Sequence, residues 1–194
     1  MEVLNRLRRA DWVWILAHAG LLLYAVLLIG GFAVQFGAHE YPCPLCMLER
    51  MAMVLSAMGA AWIIVRGRDG MSRVVDRMTG LGMVIVGSIA GLVVTTRHVL
   101  LHIEPGDPGY GSALLGLHLY TWGLVAFAAA ILAAGAALLA DYDPKPRPVR
   151  VGALSKALLA LFLVLVVANM LVVFALEGFH WTLPDDPDSY RLFS

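Results

Sequence analysis

The chain contains two cysteines, and their spacing makes them the first candidates for chemistry. Cys43 and Cys46 form a Cys-x-x-Cys motif where a short polar loop enters a long apolar segment. At the start of a helix such a pair can close a disulfide, because the helix N-terminus favours the thiolate form. A zinc site is the alternative, but zinc needs about four ligands, and adding His39 to one cysteine pair does not supply them. The spacing therefore favours redox chemistry and predicts no metal site.

An arginine close to the pair could tune its chemistry. Arg50 follows Cys46 by four residues, so the two side chains share one side of a helix. In that position Arg50 could stabilise a Cys46 thiolate or hold a carbonyl oxygen of an electron acceptor. It could equally be an arginine that anchors the helix at the membrane interface, paired with Glu49. Spacing alone leaves both roles open.

Further polar candidates lie at the ends of two other apolar segments. Arg97 and His98 end the third segment, and a histidine that exchanges a proton near neutral pH is the more suggestive of the two. His118 opens the fourth segment together with Tyr120 and Trp122. This group is either an aromatic anchor at the membrane interface or the wall of a site for a ring-shaped ligand.

Helices that cross a membrane must position these residues. Hydrophobic residues make up 60% and charged residues 14% of the 194 positions, and the mean hydropathy is +0.79; a soluble domain carries about 25% charged residues. Five segments have the roughly 20 apolar residues that a spanning helix needs, and none alternates as a strand would. They cover approximately residues 12–36, 45–65, 79–101, 113–140 and 154–177. We predict a single all-α membrane domain over residues 1–194, a four-helix transmembrane bundle with a fifth, C-terminal transmembrane helix.

The distribution of basic residues predicts the orientation of the bundle. Eleven of the 14 Lys and Arg residues precede the first segment or lie in the connections between segments two and three and between four and five. The positive-inside rule places these connections and the N-terminus in the cytoplasm. Cys43, Cys46 and the C-terminus then face the periplasm, where disulfides persist. The net charge of zero gives no basis for predicting a nucleic-acid partner. The apolar composition instead predicts that the lipid bilayer surrounds the chain.

The arrangement resembles the disulfide bond formation protein B (DsbB) family. The resemblance is carried by Pro-Cys-x-x-Cys-x-x-Glu-Arg from Pro42 to Arg50, by Arg97-His98, and by Gly116-Leu117-His118 with Trp122, and it covers roughly residues 10–140. Such a resemblance implies a protein of the bacterial inner membrane that takes electrons from the thiols of a periplasmic, thioredoxin-like (DsbA-like) protein or of another thiol protein. The electrons pass to a membrane quinone, ubiquinone or menaquinone.

The resemblance also implies roles for individual residues. Cys43 would exchange with the incoming thiolate, and Cys46 would contact the quinone. Arg50 would bind the quinone with help from His98. Arg97 and His118 are further candidates for the quinone site because they match the family's motifs at the same membrane face.

Two features depart from the family pattern. The second cysteine pair that the family carries between helices three and four is missing, because residues 102–112 contain no cysteine. Electrons would therefore enter Cys43–Cys46 directly or through a separate protein. The family also usually ends after four helices, whereas residues 154–177 predict a fifth.

Two other functions fit the same sequence features. One is a non-catalytic membrane scaffold with a structural disulfide, although a bond that closes so short a loop adds little stability. The other is a thiol reductase that runs the same chemistry backwards, as the vitamin K epoxide reductase group does on a similar four-helix plan. The reduction potential of the Cys43–Cys46 pair distinguishes an oxidase from a reductase.

Overall fold

The computed structural model describes residues 12–141, 144–180, 182, 184 and 186–193, so Arg6, Arg8 and Arg9 lie outside the described residues. Five helices in the described ranges are long and apolar enough to cross a membrane. They are α1 (Trp12–Gly37), α2 (Pro44–Arg66), α3 (Val74–Leu101), α4 (Leu119–Ala140) and α5 (Ala153–Glu177). The predicted all-α membrane protein with a fifth C-terminal helix is confirmed. That residues 1–194 form a single domain stays a prediction.

The first four helices form the bundle and α5 packs on its outside. Helix α2 lies between α1 and α3, α3 also packs on α4, and α5 contacts α1 and α2. Leu21, Leu28, Ile64 and Phe127 are fully buried where the bundle helices meet. Many large apolar side chains on the outer faces are exposed, as expected for helices that meet lipid on one side and protein on the other.

Glycines allow α2 and α3 to approach each other closely. A Cβ added to Gly59 would lie 2.4 Å from the carbonyl oxygen of Gly80, and one added to Gly87 would lie 2.5 Å from the backbone nitrogen of Ser56. Small residues are also frequent in α4, yet a Cβ on Gly135 would meet nothing within 4 Å. The tightest helix contact therefore lies between α2 and α3.

Two helices begin at residues other than those expected from the apolar runs. Helix α3 starts at Val74 instead of near 79, because its polar first turn carries the buried residues Asp76 and Arg77. Helix α4 starts at Leu119 instead of near 113, because a small hairpin of β2 (Ala113–Leu114) and β3 (Leu117–His118) precedes it. Leu115 and Gly116 form its turn with positive φ angles of 54° and 82°, the geometry of a two-residue hairpin turn.

At the end of the bundle opposite the cysteines, the two basic connections are joined. A short 3₁₀-helix (Gly67–Asp69) leads into β1 (Met71–Ser72), which pairs antiparallel with β4 (Arg147–Pro148). Asp141 is fully buried there and accepts hydrogen bonds from Arg77 Nε at 2.5 Å and from Arg147. The linker between α4 and α5 is therefore held against the α2–α3 connection by the pairing of β1 with β4.

Candidate functional site

The start of α2 brings the two cysteine sulfurs together. Cys43 is the N-cap residue, with an extended backbone (φ −68°, ψ 167°), and its Sγ accepts the backbone N–H of Cys46 at 3.2 Å. Pro44 follows at the first helical position, where its fixed φ suits the helix and no N–H is needed. The two Sγ atoms lie 2.7 Å apart and both residues are free thiols in this structure. The motif thus forms a dithiol at a helix N-terminus.

The two sulfurs have different surroundings. Cys43 is 5% exposed, and its Sγ lies 3.9 Å from Nε2 of His98 on α3. Cys46 is half-buried and lines a pocket together with Arg50. One sulfur therefore faces a buried histidine, and the other faces a cavity that a small molecule could enter.

A hydrogen bond to Glu49 holds His98 in place beside Cys43. The Nδ1–H of His98 donates to Oε1 of Glu49 at 2.8 Å, and both side chains are buried. The ring of His98 also stacks on Tyr120 of α4, with the ring centroids 4.2 Å apart. The partner of Glu49 is thus His98, not the neighbouring arginine that the sequence suggested.

The surroundings of Cys43 favour its thiolate. The pKa of Cys43 falls from an ordinary 9.0 to about 5. The largest cause of this fall is a hydrogen bond from the Cys46 thiol. Burial opposes the fall, and the hydrogen bond with His98 adds to it. The reduced pair therefore carries one negative charge at neutral pH, with that charge favoured on Cys43. Spacing within α2 suggested Arg50 as a stabiliser of a Cys46 thiolate, but it cannot show the contact between Cys43 and His98 on α3.

Arg50 is held against α1. Its Nη1 donates to Oε1 of Gln35 at 2.6 Å, its Nη2 donates to the carbonyl oxygen of Gly31 at 2.8 Å, and its Cζ lies 5.1 Å from the centre of the Phe32 ring. A Cβ on Gly31 would lie 3.1 Å from Arg50 Nε, so a glycine at this position gives the guanidinium room. These contacts fix the orientation of the guanidinium of Arg50, a residue that is only 8% exposed.

The pocket lined by Cys46 and Arg50 is mostly apolar. It is enclosed by α1, α2, the start of α4 and two connecting segments, and its lining includes Leu27, Val34, Gln35, Tyr41, Glu49, Met53, Tyr110, Ser112, Leu119 and Tyr120. Apolar walls with a single guanidinium suit a flat ring that carries a carbonyl oxygen, because the walls bury the ring and the guanidinium donates to the oxygen. The lining is therefore compatible with a quinone ring.

The connection between α3 and α4, residues 102–118, lies over the cysteine pair. Its Tyr110 donates a hydrogen bond to the carbonyl oxygen of Tyr41 at 2.6 Å, and burial raises the pKa of Tyr110 so that the phenol keeps its proton. The backbone N–H of Ser112 donates to Oε2 of Glu40 at 3.0 Å, and the Ser112 hydroxyl donates to the same carboxylate. This connection holds the segment that leads into Cys43.

The structure separates the two remaining candidates from the pocket. Arg97 is exposed on α3 and is not among the pocket's lining residues, while its neighbour His98 points into the bundle. His118 donates to the carbonyl oxygen of Gly111 at 3.1 Å and stacks on Tyr120 at a centroid distance of 5.2 Å. His118 therefore packs against Tyr120, which lines the pocket, and is not itself among the lining residues.

Several residues at the site were missed or underrated by sequence reasoning. Gln35 and Tyr190 lie 155 positions apart yet share a hydrogen bond, and Tyr110 lies in the connection between α3 and α4, for which the sequence analysis noted only the missing cysteines. A glutamine inside an apolar helix was a usable signal, because a polar residue at membrane depth needs a partner. Nothing local in the sequence pointed to Tyr190.

Three metal-ligating side chains meet at the site. The ligand atoms of Cys43, Cys46 and His98 all lie within 4.8 Å of one another. The sequence contains no complete set of metal ligands near the motif, and the structure adds His98 as a third donor. Within the described ranges this group is one ligand short of the four of a structural zinc site.

Comparison with known proteins gives the family. A family model described as disulfide bond formation protein DsbB matches residues 11–110. The chain belongs to the DsbB family. It is similar to disulfide bond formation protein B of Nitrosococcus oceani, with 32% identity over 105 residues, and the match covers 53% of this chain and 58% of that protein. No solved structure matches the chain.

The family match covers part of the molecule only. It includes α1, α2, α3 and most of the connection after α3, and hence Cys43, Cys46, Arg50 and His98. Helices α4 and α5 and the tail after α5 lie beyond residue 110. The chain also spans little more than half the length of the relative that it matches.

Proposed function

We propose that this protein forms disulfide bonds as a membrane thiol:quinone oxidoreductase. The observation that carries the proposal is the position of the cysteine pair between two different surroundings. Cys43 lies beside His98 under the 102–118 connection, and Cys46 opens into the apolar pocket with Arg50. Electrons can enter at one side of the pair and leave at the other.

The first half of the reaction is thiol–disulfide exchange. A thiolate of the donor protein attacks Sγ of Cys43 in the Cys43–Cys46 disulfide, and the sulfur of Cys46 leaves. A second donor thiol then releases the oxidised donor, so that the pair holds two electrons as a dithiol. His98 adjoins Cys43 and is held by Glu49, so it can stabilise negative charge or transfer a proton there.

The second half returns the pair to its disulfide. A quinone in the pocket would supply the acceptor for two electrons and two protons. Arg50 and the Cys46 sulfur line that pocket, so the guanidinium can bind a carbonyl oxygen while the sulfur lies beside the ring. Leu27, Val34 and Met53 would exclude water from the site.

Access of the donor needs a movement at the surface. Cys43 is 5% exposed and the connection over it is held by Tyr110 and Ser112. We propose that docking of a thioredoxin-like periplasmic donor displaces this connection and admits one thiolate. Because no cysteine lies between α3 and α4, the donor must reach the Cys43–Cys46 pair itself.

The proposal includes an orientation in a bacterial inner membrane. The basic connections meet at one end of the bundle and the cysteine pair lies at the other, which supports a cytoplasmic N-terminus and a periplasmic active site and C-terminus. A reporter introduced as Glu104→Cys, in a chain whose own cysteines are alanine, should react with an impermeant thiol reagent in intact cells. Pro146→Cys at the other end should not, and the reverse result would overturn the orientation.

The test of the function is thiol-dependent quinone reduction by the purified protein. With a reduced thioredoxin-like donor and a soluble quinone, the wild type should produce quinol and oxidised donor in equal amounts. Cys43→Ser and Cys46→Ser should each abolish turnover, because one sulfur cannot form the cycling disulfide. Near wild-type turnover in either variant would refute the mechanism, and a pair that stays inert to both donor and quinone would indicate a structural disulfide.

A further inference from the structure

The chain after α5 folds back onto the helix that precedes it. Gly178 turns the backbone at the end of α5 with φ 62°, and the backbone of Arg191 lies 3.2 Å from where its Cβ would be. The N–H of Leu192 donates to the carbonyl oxygen of Ala175 at 3.1 Å, and that of Arg191 to Leu176 at 3.4 Å. The described part of this tail is therefore attached to the cysteine end of the bundle.

This attachment brings Tyr190 to α1 and to the segment before the cysteines. Its hydroxyl accepts a hydrogen bond from Nε2 of Gln35 at 3.2 Å. Its ring meets the ring of Tyr41 edge-on, with centroids 5.2 Å apart. Tyr41 and Gln35 both line the pocket that contains Cys46 and Arg50. The tail therefore contacts the pocket wall through one side chain.

The side-chain amide of Gln35 connects Tyr190 with Arg50. Arginine can only donate, so the amide oxygen of Gln35 must face Arg50, and Nη1 donates to it at 2.6 Å. The amide nitrogen then faces the other way and needs an acceptor, because Gln35 is only 4% exposed. Tyr190 supplies that acceptor. A phenol from the C-terminal tail thus holds the nitrogen end of the amide whose oxygen accepts from Arg50.

We propose that Tyr190 is a positioning residue for the quinone site, acting through Gln35 on Arg50. The inference rests on the proposed function, because it assigns Arg50 the binding of a quinone oxygen. With Tyr190 in place, the Gln35 amide is held at both its nitrogen and its oxygen, and its oxygen holds the guanidinium at the pocket. Without it, the amide of Gln35 loses a partner and Arg50 a fixed acceptor. The C-terminal extension, which the family match does not cover, then contributes to acceptor binding through Gln35 and Arg50.

The test compares quinone kinetics in variants that keep the ring contacts. Tyr190→Phe retains the ring on Tyr41 and removes only the oxygen. Its apparent KM for a soluble quinone should rise about two- to tenfold, the effect of one neutral hydrogen bond, with kcat changing less. Reduction of the Cys43–Cys46 disulfide by a thiol donor should keep its wild-type rate. Ser189→Ala, whose hydroxyl contacts Asp188, is the matched control and should leave KM unchanged.

A double-mutant cycle separates this role from general support of the fold. In a Gln35→Leu background, Tyr190→Phe should have no further effect on KM, because the connection to Arg50 is already broken. An unchanged KM in Tyr190→Phe, or an equal rise in both backgrounds, would overturn the proposal. Either result with an active wild type leaves the proposed function standing. A wild type that reduces no quinone would refute the function and this assignment with it.

Discussion

At the scale of residues, the two sulfurs of a nearly symmetric motif acquire different properties from their neighbours. Cys43 is buried next to His98 and receives a hydrogen bond from Cys46, so the charge of the reduced pair is favoured on Cys43. Cys46 shares a pocket with Arg50. Charge and access are thus divided between the sulfurs, which is the arrangement that a relay between a protein thiol and a small acceptor needs.

The low pKa of Cys43 predicts a thiolate in mildly acidic solution. Since that pKa is about 5 instead of 9.0, the thiolate should form as the pH rises through about 5 and be lost below it. The ultraviolet absorbance of the thiolate in the reduced, detergent-solubilised protein measures this directly. Cys46→Ala removes the hydrogen bond that is the largest cause of the low pKa, so the midpoint of the absorbance change should move to higher pH. Cys43→Ala should abolish the transition near pH 5. A midpoint unaffected by Cys46→Ala would contradict the assignment.

Arg50 should not be replaceable by lysine. Its guanidinium bonds to Gln35 and to the Gly31 carbonyl at once, and an ammonium cannot reproduce that planar geometry. Loss of one charge-assisted hydrogen bond to the acceptor is worth about 1.5–3 kcal/mol, or roughly ten- to hundredfold in affinity. Steady-state kinetics of Arg50→Lys should therefore show a raised quinone KM, and Arg97→Lys on the exposed face should not. Equal KM values for the two variants would indicate that Arg50 only anchors the helix at the membrane interface.

At the scale of elements, the site depends on how closely α2 and α3 pack. His98 on α3 reaches Cys43 and Glu49 at the start of α2, and the glycines of both helices set the distance between their backbones. Any substitution that separates the two helices should therefore move His98 away from the cysteine pair.

Gly59→Ala is the sharpest test of this packing. The added Cβ would meet the Gly80 carbonyl oxygen at 2.4 Å and the Val84 nitrogen at 2.6 Å, and backbone atoms cannot turn aside as a side chain can. We expect a loss of about 1–3 kcal/mol of stability, the usual cost of overpacking, measured by thermal unfolding in detergent. Gly135→Ala, where space is open, should leave the stability unchanged or slightly higher. Equal stability of the two variants would show that the helices do not depend on close contact there.

The helices themselves could be predicted from the sequence because each is an apolar run of membrane length. The N-terminal position of the cysteine pair on α2 follows from Pro44 and the motif in the same way. The contacts between Glu49 and His98 and between Gln35 and Arg50 could not be predicted, because they depend on how each helix is rotated within the bundle. The start of α4 was predicted too early, since the short hairpin at residues 113–118 is itself apolar.

At the scale of the whole molecule, the two ends of the bundle are built differently. One end joins its connections through β1 and β4 and through Asp141, and it carries most of the described basic residues. At the other end, the α1–α2 connection contacts both the α3–α4 connection and the tail after α5, through Tyr41. The cysteine pair and the pocket that Cys46 lines both lie at this second end.

A single turnover without any donor protein tests the central claim most directly. The reduced, detergent-solubilised protein is mixed with one equivalent of a soluble quinone, and free thiols and quinol are counted over time. We predict that both thiols of the wild type disappear as one equivalent of quinol forms, with a disulfide between Cys43 and Cys46 identified by mass spectrometry. Thiols that persist in the presence of quinone, or quinol formation that is unchanged in Cys46→Ser, would contradict the account.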